Sequence, residues 1–342
     1  MLAVSGVSVR GICAAVPRKV VRAEDMGNIS DHDLKRMIRS TGFEQFRVAE
    51  DGKTTADYCA VAASALMRRL SVSVDSIDAI VFVSQTPDYI VPSTSVVLQS
   101  RLGLRDDVLV FDINHGCPGF VYGLFQSALL IGAGLNRILL CTGDTATRYA
   151  DPNDRSTRYV FGDGAAVSLI ENGADKWAFS FYADGSRYQT LWIPAAIGIG
   201  LKAEDFVPSK KDATCNSKLH MDGAEIMTFS LEVVPPMLEN ILQELGLTKE
   251  EIDIFALHQA NKLIIETIAQ RMGLSSSKMP FGAALFGNTS VASIPLLLSA
   301  LYGDHQRTKR NNVILCGFGV GLTAATAYVS LRDTEIMRYV ET

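Results

Sequence analysis

The chain has 342 residues, of which 48% are hydrophobic and 20% charged, with a formal net charge of −5. That length supports one large or two medium domains around a substantial core. The mild acidity argues against a general nucleic-acid binder, which would present a basic face.

Residues 1–17 alternate apolar and polar positions around Arg10, so the segment reads as a first strand. A secretory leader would show a basic start and an unbroken apolar run. Ala56 to Leu70 has a helical period, Ala79 to Val83 is a short apolar strand, and Val108 to Ile113 is another. The stretch Phe120 to Leu135 is apolar all round but broken by Gly123, Gln126, Ser127, Gly132 and Gly134. It is too short to span a bilayer comfortably and reads as a helix buried in a core. Arg137 to Thr142 is a strand, and Glu225 to Leu245 a long helix in which Pro235–Pro236 predicts a kink or a break into two. Ile254 to Leu257 is a strand, a second buried helix begins near Thr289–Ser290, and Asn312 to Gly317 closes the series. Such alternation predicts sheets covered by helices in an α/β layered architecture. A cytoplasmic protein without membrane insertion is expected.

The chain is written twice. Arg69 to Asp78 leads into the strand at Ala79, and Glu244 to Asp253 leads into the strand at Ile254, so that Ile252 stands 175 residues after Ile77 (252 − 77 = 175). Ile138 to Cys141 matches Val313 to Cys316 at the same spacing. Between them Gln99 to Leu104 resembles Ala269 to Leu274 at a spacing of 170 (273 − 103 = 170), which leaves the first half with about five extra residues around Gln85 to Thr94. Three ordered matches at nearly constant spacing indicate duplication, with halves at residues 1–173 and 174–342. The two buried helices occupy equivalent places, so their N-termini should lie close together at the pseudo-twofold axis.

Six cysteines are present, at 13, 59, 117, 141, 215 and 316. None forms a Cys-x-x-Cys pair or has histidines at ligand spacing, so neither a metal centre nor a disulfide framework is expected. Cys13, Cys59, Cys141 and Cys316 sit in apolar patterns and read as buried thiols; Cys215 lies in a polar stretch and reads as exposed. Cys117 differs. Asn114-His-Gly-Cys-Pro-Gly-Phe120 follows a strand, and Pro118 suits the first turn of a helix. A thiol there faces backbone N–H groups and the positive helix end, both of which favour thiolate. An ordinary thiol pKa is about 8.5, so a fall of about 1.5 units makes roughly half of it reactive at neutral pH. Gly116 and Gly119 leave room for a substrate. Position alone fits one more buried small residue equally well.

His258 stands at a strand end, a common place for functional residues in α/β folds, and Asn288 stands at a helix start. Singly, each has a plain alternative, a core hydrogen bond or an N-cap. As a set they suit one chemistry. Decarboxylation of a malonyl thioester creates an enolate, which two neutral donors, a His and an Asn, stabilise. The carbanion then attacks an acyl group held on Cys117, and the tetrahedral intermediate needs backbone N–H donors. The turn Gly317-Phe-Gly-Val-Gly321 is suited to present them.

Together these segments resemble ketoacyl synthase III-type enzymes of the thiolase superfamily. The motifs are NHGCPGF around Cys117, ALHQAN around His258, FGNTS around Asn288 and GFGVGLT near the C-terminus; Ser40 to Phe43, Thr86 to Tyr89 and Tyr159 to Ala166 resemble further family segments. The resemblance implies a duplicated thiolase-like five-layer α-β-α-β-α fold and a homodimer. It implies acyl transfer from coenzyme A or acyl carrier protein, a malonyl thioester as second substrate, phosphopantetheine thioesters as substrates, and no tightly bound cofactor or metal. By matching motifs, Cys117 is the nucleophile, His258 and Asn288 assist decarboxylation and condensation, and the backbone N–H groups of Cys117 and Val320 form the oxyanion hole. Arg36, Arg39, Ser40, Val91, Asn261 and Phe318 match substrate-binding positions, Val91 in a segment that reaches the partner subunit's acyl pocket. Lys262 and Arg271 remain as cations for carrier docking. The chain departs from the pattern in places. Ser40 stands where members dedicated to fatty-acid initiation often have Arg before Thr-Gly, Arg36 where an aromatic stacks on adenine, and Leu263 where a basic residue follows HQAN. Val91 replaces a bulky aromatic of some members, which suggests a less restricted acyl pocket. Three functions are open at this point: decarboxylative Claisen condensation in fatty-acid or specialised lipid synthesis, acyl transfer to an oxygen or nitrogen nucleophile without malonyl, and a non-catalytic partner subunit.

Overall fold

The structure, a computed structural model, describes residues 1–27, 29–193, 218–303 and 310–342; Cys215 lies outside them. Eight strands form its frame: β1 (Leu2–Val16), β2 (Ala79–Val83), β3 (Leu109–Ile113), β4 (Arg137–Asp144), β5 (Gly164–Ala183), β6 (Ile254–Leu257), β7 (Val313–Gly319) and β8 (Thr323–Val329). The hydrogen-bonded order is β6-β7-β8-β5-β4-β2-β3, with β1 running antiparallel along β5.

The long strands β1 and β5 each serve two sub-sheets. Gly164 to Glu171 of β5 pairs with β4 on one side and with the Ser8–Ala15 part of β1 on the other. Beyond a register break at Val7, which stands opposite both Asn172 and Asp175, β5 continues as Lys176 to Ala183, paired with β8 and with Leu2 to Ser5. The repeat spacing reappears in the strand register. Phe82 of β2 pairs with Cys141 of β4, and Leu257 of β6 pairs with Cys316 of β7, both parallel.

Both faces of β2 are buried, which is why the strand is an unbroken apolar run rather than an alternating one. Ala79, Val81 and Val83 face a core shared with helix α4 (Gly119–Gly132) and helix α7 (Ser293–Tyr302). Ile80 and Phe82 face the opposite way, onto α2 (Thr55–Leu70) and α3 (Thr94–Leu102). The second half repeats this: Ile254 and Ala256 face the central helices, while Phe255 and Leu257 face α5 (Gly223–Leu245) and α6 (Lys262–Met272). The order is helices, sheet, central helix pair, sheet, helices, a duplicated five-layer α/β fold. Cys13, Cys59, Cys141 and Cys316 are buried in the two outer cores.

Three local expectations change. α5 continues through Pro235–Pro236 without a break. Pro235 cannot donate to the carbonyl four residues earlier, and the Arg271 guanidinium instead donates to Leu231 O at 2.7 Å. The second central helix begins later than expected, at Ser293, after a 3₁₀ turn at Ser290–Ala292. And α4 is buried on one face only: Tyr122, Phe125 and Leu130 are half-buried and Leu129 is exposed. The extra residues of the first half form the link 84–93 between β2 and α3, against 258–261 between β6 and α6. Among the described residues no helix is long and apolar enough to cross a membrane, and no group of His, Cys, Asp or Glu is placed to hold a metal ion.

Candidate active site

β3 ends at Ile113, the chain turns through Asn114–Pro118, and α4 begins at Gly119. A side chain on Gly317 of β7 would run into the Pro118 backbone, so glycine lets the second-half strand lie directly against the Cys117 turn. Gly319 has φ 147° and ψ −116°, a conformation open in practice to glycine alone. A Cβ there would stand 2.9 Å from Cys117 Sγ. The next residue is Val320; its backbone N–H, that of Cys117 itself and the Ser290 hydroxyl each favour the thiolate.

These donors do not decide the thiol's ionisation. Cys117 is 4% exposed, and burial pushes its pKa up to about 11, helped by the charge of Asp144. The fall expected from the helix start is therefore reversed. Removing a sulfur anion from water outweighs two N–H groups and a hydroxyl, and the resting residue is a thiol.

His258 follows β6, and its N–H extends the ladder to Cys316 O at 2.8 Å. Its Nδ1 lies 2.6 Å from Ser293 Oγ, which also accepts from Gln259 N at 3.4 Å. A hydroxyl that accepts from Gln259 and donates to Nδ1 leaves the imidazole proton on Nε2. Phe318 packs edge-on against the ring, centroids 5.5 Å apart. Burial holds the His258 pKa down at about 3, against a weaker opposite effect of the Ser290 backbone, so the ring is a neutral donor at physiological pH.

Asn288 is held by its backbone: its N–H donates to Val160 O at 2.8 Å and its carbonyl accepts from Gly162 N at 3.0 Å. The Oδ1 accepts from Ser290 N at 2.9 Å. This bond spans two residues at the start of the 3₁₀ turn, whose N-cap is Thr289, so Asn288 does not cap the α-helix. With the oxygen occupied, the amide orientation is fixed and Nδ2 has no partner among the described residues.

Ser290 joins all three. Its hydroxyl favours the Cys117 thiolate, its backbone favours the protonated His258 ring, and its N–H donates to Asn288 Oδ1. It does so from φ 50°, a left-handed conformation that costs a non-glycine residue of order 1–3 kcal/mol and tends to mark functional sites. In the sequence Ser290 and its neighbour Ser293 look like capping residues. The only signal was their place directly after Asn288.

The other candidates fall elsewhere. Phe318 is fully buried behind His258. Asn261 caps α6, its Oδ1 accepting from Ile264 N at 2.8 Å. Arg36 and Arg39 are exposed on helix α1 (Asp31–Thr41), and the Ser40 hydroxyl donates back to Met37 O at 3.0 Å. Gly42, at the end of α1, lies against Lys262, which pairs with Glu266 at 3.8 Å. Arg271 serves the Leu231 carbonyl. Val91 is 83% exposed in the link after β2.

His115 stacks on Tyr122 with centroids 4.1 Å apart, and burial lowers its pKa to about 4. His115 and His258 are thus neutral in the fold, whereas in an unfolded chain they titrate near 6.5. Below that pH the unfolded state binds more protons, so stability is fully present above 6.5 and falls as pH drops towards 4. Each ring contributes up to about 1.4 kcal/mol per pH unit. Urea midpoints at pH 7, 6 and 5 should fall in that order, and His115→Gln should roughly halve the slope; a midpoint constant down to pH 5 contradicts neutral burial of the two rings.

Comparison with known proteins agrees with this geometry. Residues 111–185 match the family model described as 3-oxoacyl-[acyl-carrier-protein (ACP)] synthase III, and residues 242–331 match the model of its C-terminal part. A β-ketoacyl-[acyl-carrier-protein] synthase III of Mesorhizobium japonicum is 33% identical over 324 residues, 92% of this chain and 96% of the relative. The crystal structure of a 3-oxoacyl-(acyl-carrier protein) synthase from Burkholderia xenovorans superposes with a TM-score of 0.93 at 33% identity, covering 100% of this chain and 98% of that one. The priming β-ketosynthase of the R1128 polyketide biosynthetic pathway superposes with a TM-score of 0.84 at 25% identity, covering 96% and 97%. A cysteine at a strand-to-helix turn, a neutral histidine and an oriented amide on a duplicated five-layer frame thus coincide with whole-chain similarity: the chain belongs to the 3-oxoacyl-[acyl-carrier-protein] synthase III family of condensing enzymes.

Proposed function

We propose that Cys117 takes an acyl group from a coenzyme A or carrier-protein thioester and passes it to the carbanion of a decarboxylated malonyl thioester. The observation that carries this reading is the meeting of Cys117, His258 and Asn288 at Ser290. In the first half-reaction Sγ attacks the donor carbonyl, and the N–H groups of Cys117 and Val320 hold the oxyanion. The donor thiolate leaves and the acyl group stays on sulfur. In the second, the malonyl thioester oxygen lies against His258 Nε2–H and Asn288 Nδ2–H. Carbon dioxide departs, its electron pair forms an enolate held by the two donors, and the enolate carbon attacks the acyl-cysteine. The Cys117 thiolate is released and reprotonated.

Two neutral donors suit an enolate, and Asn288 Nδ2 is oriented with no partner among the described residues, which favours condensation over plain acyl transfer to an oxygen or nitrogen nucleophile. The exposed α1 arginines beside Lys262 suit an acidic carrier or the phosphates of coenzyme A. The halves 1–173 and 174–342 act as one unit, the first supplying the nucleophile and the second the histidine and the amide. A homodimer through β3 is consistent with its place at the sheet edge, the half-exposed face of α4, and the exposed apolar Ile90 and Val91 nearby. The free, buried described cysteines suit a reducing cytoplasm.

The test is product analysis. Incubation with a panel of acyl-CoA thioesters is expected to add one acyl mass to the intact protein, and addition of malonyl thioester to discharge it as a 3-oxoacyl thioester with release of carbon dioxide. Discharge to an alcohol or amine with malonyl untouched would refute condensation, and no acyl mass with any donor would restore the non-catalytic reading.

A further inference from the structure

Asn288 is fixed from two sides. Within the second half its Oδ1 accepts from Ser290 N. From the first half, Phe161 forms a parallel bridge with it: Asn288 N donates to Val160 O at 2.8 Å, and Gly162 N donates to Asn288 O at 3.0 Å. Two glycines permit this approach. A Cβ on Gly162 would run into Phe286 O, and one on Gly287 would stand 3.0 Å from Gly162 N. The residue after the bridge, Asp163, is fully buried, and no step of the condensation scheme uses it. Its Oδ1 accepts from Thr147 N at 2.9 Å, and its Oδ2 accepts from Ala49 N at 2.8 Å and from Thr147 Oγ1 at 2.6 Å. Its own N–H donates to Arg47 O at 2.8 Å, and Arg47 N donates to Phe286 O at 3.2 Å. Asp163 thus ties the 3₁₀ turn Ala146–Arg148, the short strand Gln45–Arg47 and the Val160–Gly162 segment into one unit. All three belong to the half that carries Cys117, and the last two hold the Phe286–Asn288 loop of the other half. A carboxylate accepts on both oxygens and so suits three donors, whereas an amide here would turn its NH₂ towards at least one of them.

Resting on the reading of Asn288 as an enolate donor, we propose that Asp163 is a positioning residue for malonyl decarboxylation: by fixing Val160–Gly162 it sets where Asn288 stands relative to Cys117. The bond to Ser290 N turns the amide, but both of its ends belong to the second half, so it does not place the amide against the first. The bridge to Phe161 crosses between the halves and does. A donor serves a developing oxyanion only when it is held in place beforehand, and a misplacement of about 1 Å can cost about 100-fold. Without the carboxylate, Val160–Gly162 loses its anchor to Thr147 and Ala49, and the amide loses its fixed place against the malonyl thioester oxygen. Acyl loading relies on the N–H groups of Cys117 and Val320 and does not pass through this bridge. Asp163 acts through Asn288 and touches no substrate.

The test is a double-mutant cycle read on both half-reactions. Carbon dioxide release from malonyl-CoA, and single-turnover loading of Cys117 from straight-chain acyl-CoA thioesters, are measured for wild type, Asp163→Asn, Asn288→Ala and the double variant. Asp163→Asn is expected to lower kcat for carbon dioxide release about tenfold, a part of the 10²–10³-fold effect of losing a donor outright. KM for malonyl-CoA should stay within about twofold and loading within about threefold. In the Asn288→Ala background the same substitution should change the rate by less than about twofold, because a residue that acts through Asn288 has nothing left to place. The same fall in both backgrounds, or an equal fall in loading, overturns the proposal and makes Asp163 a support of the fold alone. Undiminished decarboxylation in Asp163→Asn overturns it as well. If Asp163→Asn does not fold, Thr147→Val decides, since it removes the hydroxyl donor to Oδ2 and keeps the Thr147 N–H. A fall that vanishes in the Asn288→Ala background supports the proposal, and release at the wild-type rate ends it. Asn288→Ala without loss of decarboxylation is a separate failure: it refutes the enolate-donor reading, and the positioning role with it.

Discussion

Cys117→Ala is expected to abolish covalent acyl capture, with condensation falling by at least about 10³-fold. Sγ is the soft nucleophile that the Val320 N–H, the Cys117 N–H and the Ser290 hydroxyl all favour as thiolate. The other described cysteines are buried in strand and helix cores away from this turn. The fold should survive, because among the described residues no backbone hydrogen bond depends on the side chain and alanine removes one sulfur. Malonyl decarboxylation should also survive, since its two donors lie on the second half. Intact-protein mass spectrometry with labelled donor measures the first effect and carbon dioxide release the second. A persistent acyl adduct in Cys117→Ala removes the residue from its role.

Asn288→Ala should have the next largest effect, directed at the other half-reaction. Loss of one preorganised donor to a developing oxyanion costs about 10²–10³-fold, so decarboxylation and condensation should fall by that factor while Cys117 still loads. The variant also leaves the Ser290 N–H without Oδ1, and this gives the experiment its control. If loading falls in step with decarboxylation, Asn288 serves to hold Ser290, and its Nδ2 is not the enolate donor. Rates of loading and of carbon dioxide release, measured separately, distinguish the two.

Much of the frame was legible because it rests on local pattern. Ala79 to Val83 and Ile254 to Leu257 are strands as their apolar runs indicate, and the 175-residue spacing of the repeat is the spacing of the paired strands. Cys117, His258 and Asn288 were visible because each ends a strand or begins a turn. What stayed hidden depends on tertiary context. The Cys117 pKa moved up rather than down because a turn motif shows the nearby N–H groups but not how completely the sulfur is shut from water. Arg271 looked like a free cation, and its partner is a carbonyl released by a proline 36 residues earlier (271 − 235 = 36). Ser290 and Asp144 carry no motif of their own, since a capping serine and a strand-end aspartate look the same wherever they occur. Only the packing of one half on the other brings them beside the thiol.

Cys117 belongs to the first half of the polypeptide and Val320, beside it in the fold, to the end of the second, and the strands β1 and β5 run through both sub-sheets. During synthesis the thiol therefore leaves the ribosome long before its N–H donor, its histidine or its amide. Leu2 to Ser5 must wait for Lys176 to Phe179 before they are paired. On the proposed scheme a nascent or truncated chain carries the thiol without the groups that would use it, and acyl-cysteine is expected only on chains that have closed both halves.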